Sequence, residues 1–182
     1  MAATWCRVPP VRDPAEKVYQ STIPYEAVRI HAAAVYCSDG RIGEQIDEFL
    51  HEGLSLPRYD RVACPGGPVA LAGRLLAQWE SRGVEDQIRF LVQAHDAKQV
   101  VLVAHEGCAY YGRRLGFGPE QALVEQRADL RSAGAAVQRI NSAIEVAAFF
   151  AHVDGSEVWF EREFASEGID GRLRRGRGAV RL

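Results

Sequence analysis

The sequence predicts an α/β fold: a mainly parallel sheet of about five strands with an antiparallel edge strand and helices on both faces. Three observations predict it. Short apolar runs alternate with segments whose apolar residues recur at helical spacing, the order that packs helices against a parallel sheet. The run from Gln99 to Ala104 (Gln-Val-Val-Leu-Val-Ala) is almost continuously apolar, as strands covered on both faces are. Asp154-Gly155 separates two β-like runs, which makes them an antiparallel hairpin.

In chain order, residues 1–26 hold Pro9, Pro10, Pro14 and Pro24 and lack sustained periodicity, so they read as an N-terminal arm. Val28–Tyr36 is rich in Val, Ile and Ala and forms the first strand, ending at Cys37. Ile42, Ile46, Phe49 and Leu50 follow at helical spacing, with Glu44, Asp47 and Glu48 between them, and predict a helix. Tyr59–Cys64 is a short second strand, stopped by Pro65-Gly66-Gly67-Pro68. Val69–Gln78 and Val84–Ala97 read as a second and a third helix. Pro119 suits the first position of a helix and opens a helical stretch to about Ile140. Ile144–His152 is the fourth strand and Ser156–Glu163 the fifth. Residues 27–163 thus make the α/β domain, and residues 164–182 a basic tail in which Arg172, Arg174, Arg175, Arg177 and Arg181 alternate with glycines. That tail reads as a solvated segment or as an arm docking on an acidic surface of a second subunit.

At 182 residues the chain is most simply one domain, which buries roughly 70% of its unfolded surface and needs no covalent staples. The formal charge of −2 gives no reason to expect nucleic acid or an anionic membrane as partner. No apolar stretch reaches the ~18 residues of a membrane span, and no basic-then-apolar leader opens the sequence. The expected location is therefore cytoplasmic. In such a reducing compartment, Cys6, Cys37, Cys64 and Cys108 are metal ligands, catalytic thiols or inert buried residues rather than disulfides.

Chemistry concentrates at two strand ends. Cys37-Ser38-Asp39-Gly40-Arg41 closes the first strand and His105-Glu106-Gly107-Cys108 the third, where open α/β sheets place their ligands. Two thiolates and one imidazole make a three-ligand zinc set with the fourth tetrahedral position free, the pattern of catalytic rather than structural zinc. A carboxylate and a guanidinium beside that position would manage a bound water. Taken singly, Cys37 is a small buried hydrophobe, Asp39 an N-cap, Arg41 a surface residue and His105 a hydrogen-bonded core histidine. Their joint occurrence at strand ends of one domain favours the functional reading. Cys64, ending the second strand, is either a fourth ligand that would close the site or an inert or oxidisable thiol.

The pair Cys37-x-Asp39-x-Arg41 and His105-x-x-Cys108 resembles the signature of β-class carbonic anhydrases, in order and in placement on the first and third strands. The resemblance implies one Zn²⁺ per chain on Cys37, His105 and Cys108. It implies that Asp39 accepts a hydrogen bond from the zinc-bound water, or swings onto the metal as a fourth ligand in a closed state, and that Arg41 orients and neutralises Asp39. The implied reaction is reversible hydration of CO₂ to bicarbonate by a metal-bound hydroxide, in a homodimer or higher homo-oligomer. The sequence departs from the family pattern in three places. Gly40 stands where serine is usual, and Ala109-Tyr110-Tyr111 follows Cys108 in place of glycines. Ala63-Cys64-Pro65-Gly66-Gly67 replaces the Arg-Asn-Ala-Gly-type stretch. The two tyrosines either line the pocket or pack on the core, and Gln20 is a weak candidate for a substrate-binding glutamine.

Three other functions compete. The same zinc site would hydrolyse carbonyl sulfide or carbon disulfide, or the chain is a non-catalytic zinc-binding relative. Cys108 to Arg114 also fits the Cys-x₅-Arg spacing of thiol phosphatases, although Leu115 replaces their usual hydroxyl residue.

Overall fold

In the computed structural model, residues 17–75 and 78–169 are described. Cys6, residues 1–16 of the arm and residues 170–182, which carry the arginines of the expected tail, lie outside them; residues 164–169 of that tail are described, and Ile169 is buried. Five strands form one sheet: β1 (Ala32–Cys37), β2 (Asp60–Cys64), β3 (Gln99–His105), β4 (Glu145–Asp154) and β5 (Glu157–Ala165). Their spatial order is β2-β1-β3-β4-β5. The pairs β1/β2, β1/β3 and β3/β4 are parallel, and β4/β5 is the antiparallel hairpin. Gly155 supplies the hairpin with the left-handed conformation that its turn requires, φ +59°.

Alternation along the inner strands gives the sheet two buried faces. On one, Ala33, Val35, Val100, Leu102, Val146 and Phe150 pack against α2 (Gln78–Ala94) through Val84 and Ile88, and against α3 (Pro119–Ile140) through Leu130 and Val137. On the other, Tyr36, Val101, Val103 and Phe149 meet Ile42, Ile46 and Leu50 of α1 (Gly43–Glu48) and its continuation. Full burial of one such side chain is worth about 1.5–3 kcal/mol, so these two layers hold the strand ends in place. The predicted fold class, with helices on both faces, is the one observed.

The elements differ from expectation in three places. Residues 28–31 are outside β1, and Val28 is 64% exposed; at this end of the sheet the Lys98 and Gln99 N–H groups donate to the His31 carbonyl at 2.8 and 3.1 Å. The helix expected over Val69–Gln78 is not formed by the described residues of that span. A 3₁₀ turn spans Gly67–Leu71 and stops ahead of Gly73 at φ +75°, a left-handed position that no α-helix passes through. The next helix starts at Gln78 and therefore takes in the beginning of the expected third one. Finally, α1 is short and widens into a π turn over Phe49–Gly53, which turns Phe49 onto the Phe160 ring at 4.1 Å.

Candidate metal centre

The order in which strands are added reverses at β1: β2 lies on one side of it and β3 on the other. This is the switch point at which open α/β sheets form a crevice beyond their carboxyl ends. Cys37 is the last residue of β1 and His105 the last of β3. Gly107, at φ +68°, reverses the chain after β3 and brings Cys108 back beside them. The three residues are all buried, and their Sγ and ring-nitrogen atoms lie within 4.8 Å of one another.

Each donor atom is aimed by its neighbours. Cys37 Sγ lies 3.8 Å from Cys108 Sγ and accepts the Gly66 N–H at 3.4 Å. Hydrogen bonding with Cys108 pulls the Cys37 thiol well below its ordinary pKa, helped by His105 and the Gly66 N–H and opposed by burial. Cys108 is pushed up, because it holds the proton that the pair shares. His105 Nδ1 lies 2.9 Å from the Glu106 carbonyl. A carbonyl only accepts, so Nδ1 carries the proton and Nε2 presents a lone pair. That Nε2 is buried and has no hydrogen-bond partner among the described residues. Leaving such a group unsatisfied costs about 1–3 kcal/mol, and a metal ion would satisfy it. Two sulfurs and one neutral imidazole nitrogen are the donors that a zinc ion takes, so the residues fit the group.

Asp39 and Arg41 stand beside this cluster. Arg41 Nε donates to Asp39 Oδ1 at 2.9 Å and Nη2 to Oδ2 at 2.5 Å, while the Arg41 backbone N–H donates to Oδ1 at 3.1 Å. These bonds, led by the guanidinium, hold the Asp39 carboxyl down at about 2. Asp39 is therefore not the N-cap of α1: the cap position is Ile42, with no side-chain bond, and the aspartate faces Arg41 instead. Asp39, Arg41 and His105 line a cavity of ≈ 340 Å³ whose remaining wall includes Ile42, Glu106, Val153 and Val158.

The other candidates fall elsewhere. Cys64 is the register partner of Cys37 across β1 and β2, but its Sγ donates to the Gly67 carbonyl at 3.6 Å and is not part of the three-residue group. Gln20 is exposed and accepts a bond from Lys17 Nζ. Tyr111 is buried against Cys37, Cys108 and Val69, and its hydroxyl donates to Asp129 Oδ2 at 2.7 Å; it packs on the core. Asp129 in turn takes Arg74 Nε at 2.7 Å, which ties the segment after Cys108 to α3. Sequence reasoning missed this Tyr111–Asp129–Arg74 link, and no local pattern announces it because its members lie far apart in the chain. It also missed Glu106, although that residue sits inside the His-x-x-Cys motif.

Gly67 has no room for a side chain. At φ +55°, a Cβ there would lie 2.6 Å from the Tyr36 carbonyl carbon and 2.7 Å from the Cys37 nitrogen. This close approach delivers the Gly66 N–H to Cys37 Sγ. Gly67→Ala is expected to cost roughly 2–4 kcal/mol of stability, from backbone strain and clash together, as read by urea unfolding of the metal-free protein.

A sheet of this order with a Cys-His-Cys group at its switch point defines a carbonic-anhydrase-like fold with a potential metal site. Residues 28–159 match the family model described as "Putative carbonic anhydrase", and the chain belongs to that family. A β-carbonic anhydrase from Trichomonas vaginalis shares the fold, with a TM-score of 0.51 at 14% identity over 78% of this chain and 87% of that one. A carbonic anhydrase from Streptococcus mutans aligns at 17% identity over 72% of this chain and 81% of that one, with a TM-score of 0.47. Among curated sequences, an uncharacterized protein of Rickettsia conorii is 27% identical over 93 residues, 51% of this chain and 48% of that protein. The chain spans about half the length of the curated relatives it matches. No helix among the described residues is long and apolar enough to cross a membrane.

Proposed function

We propose that this chain is a zinc-dependent lyase that reversibly hydrates CO₂ to bicarbonate, with its site in the domain of residues 27–163. The observation that carries the proposal is the convergence of Cys37, His105 and Cys108 on one point, with a buried Nε2 lone pair that has no partner among the described residues, beside a paired Asp39 and Arg41. Cys37, His105 and Cys108 would hold one zinc ion per chain. Zinc there supplies the Lewis acidity that lowers a water's pKa from ~15.7 to about 7.

This chain's residues do the rest. Glu106 fixes the His105 tautomer through its carbonyl, as partners of ligating histidines do. Asp39 is ionised throughout the neutral range and only accepts hydrogen bonds. Arg41 occupies part of both its oxygens and so fixes the direction of the lone pairs left for a water O–H. That bond turns the oxygen's own lone pair towards substrate. Asp39 would also serve as the fourth ligand of a closed resting state. Ile42, Val153 and Val158 give the cavity an apolar side on which a neutral linear molecule rests without losing hydrogen bonds. A homodimer or larger homo-oligomer in the cytoplasm completes the reading.

The test is stopped-flow CO₂ hydration by zinc-loaded protein from about pH 6.5 to 9, the range in which zinc-activated water titrates. A rate above that of buffer, rising with pH, is the expected result. No rate with zinc bound would overturn the anhydrase reading and leave carbonyl sulfide hydrolysis, assayed side by side, or a silent zinc site.

A further inference from the structure

We infer that Glu106 sets the class of molecule the site accepts, its carboxylate favouring small neutral substrates and ligands over anions. The inference rests on the metal-site reading above and names a determinant within it. Glu106 lines the cavity that holds Asp39, Arg41 and His105. It is held there at several points. Its N–H donates to the Ala151 carbonyl at 2.9 Å, its own carbonyl faces His105 Nδ1, and its Oε2 accepts the Val153 N–H at 3.2 Å. The carboxylate is thereby fixed between the ligand loop and β4, where a free surface glutamate would swing into solvent.

Among the described residues, the cations near Glu106 are committed elsewhere or stand beyond hydrogen-bond length. Two thiolates offset a divalent ion. Arg41 commits Nε and Nη2 to Asp39. His152 Nδ1 is 3.9 Å from Glu106 Oε2, beyond hydrogen-bond length, and its Nε2 faces Glu161 Oε2 at 2.9 Å. Arg127 also serves Glu161, at 2.7 Å, and pairs with Glu163 besides. Arg131 lies 4.0 Å from Glu163. Arg113 lines a neighbouring cavity of ≈ 490 Å³ that Glu106 and Cys108 also line, and it is not among the residues lining the cavity of Asp39, Arg41 and His105. An anion entering that cavity meets net negative charge, while a neutral molecule meets none of this penalty. The Glu106 side chain is 41% exposed, so solvent screens the field and the effect is a few-fold one.

The test uses cobalt(II) in place of zinc, because its visible absorption reports ligand binding whether or not the protein turns over CO₂. Thiocyanate is the anionic probe and neutral imidazole the uncharged one, titrated into the wild type and Glu106→Gln. Thiocyanate is expected to bind about threefold or more tightly in the variant, with imidazole affinity unchanged. Wild-type affinity for thiocyanate should also rise as an inert salt screens the site. Equal thiocyanate affinities in the two proteins, or a gain shared by imidazole, would overturn the inference. If the variant fails to fold, thiocyanate binding to the wild type that weakens with salt overturns it. A wild-type protein that takes up no cobalt overturns the metal-site reading and this inference with it; uptake with equal affinities overturns this inference alone.

Discussion

Cys37→Ala and Cys108→Ala are each expected to abolish stoichiometric zinc uptake. Every donor is needed, since the described residues offer three atoms in one group and Cys64 is turned to the Gly67 carbonyl. Removing a partner that merely orients a ligand costs about 10–100-fold in metal affinity, and loss of a ligand should exceed that. The two variants also test the geometry against each other. Cys37 carries the Gly66 N–H on its sulfur and closes a buried strand, whereas Cys108 sits on a loop behind Gly107. Both should remain folded, because Ala is smaller and apolar at two buried positions. Metal analysis after dialysis, with circular dichroism as the fold control, is the measurement. Full zinc occupancy in either folded variant would remove that sulfur from the ligand set.

Asp39→Asn is expected to keep zinc and lose most turnover. The substitution preserves shape but offers an N–H₂ donor where a carboxylate only accepted. It also deprives Arg41 of its ionic partner. Positioned groups that accept a proton or its hydrogen bond contribute typically 10²–10⁴-fold, and kcat/KM should fall by about that factor. The pH profile supplies a further check. Arg41 holds the Asp39 carboxyl at about 2, below its unfolded value, so the stability it contributes is present above ordinary carboxylate pH and fades only as pH falls towards 2. Any rise in rate near neutrality therefore does not belong to Asp39; in the proposed mechanism it belongs to the activated water, and its midpoint should survive in the residual activity of the variant. A variant within tenfold of wild type in stopped-flow hydration would remove Asp39 from the proposed mechanism.

Much of this centre was legible in the sequence, for physical reasons. An apolar run ending in a residue that can ligate a metal fixes both the strand and the place where the side chain emerges; the positions of Cys37 and His105 at the ends of β1 and β3 were readable on that basis. Pro119 and Asp154-Gly155 punctuate the chain as their backbone chemistry requires, and α3 and the hairpin follow them. The expected second helix failed because an apolar period over Val69–Gln78 says nothing of backbone handedness. Gly73 at φ +75° breaks the helix, and Arg74 finds its partners on α3, 51 and 55 residues away. Glu106 was invisible as a determinant for a similar reason. Its neighbours in space, Val153 and His152, come from the hairpin strand, and local spacing carries no information about that pairing.

The separation of the two sulfurs has a consequence for how the molecule matures. Cys37 and Cys108 are 71 residues apart in the chain and come together only once β1 and β3 lie side by side in parallel. Closing so long a loop is among the slower events for a chain of this size, since its entropy must be met before any contact rewards it. A nascent chain thus exposes loose thiols first and a shaped cradle only at the end, so that in the proposed metalloprotein capture of the ion would be a late checkpoint, passed by copies whose sheet has already assembled in the right order.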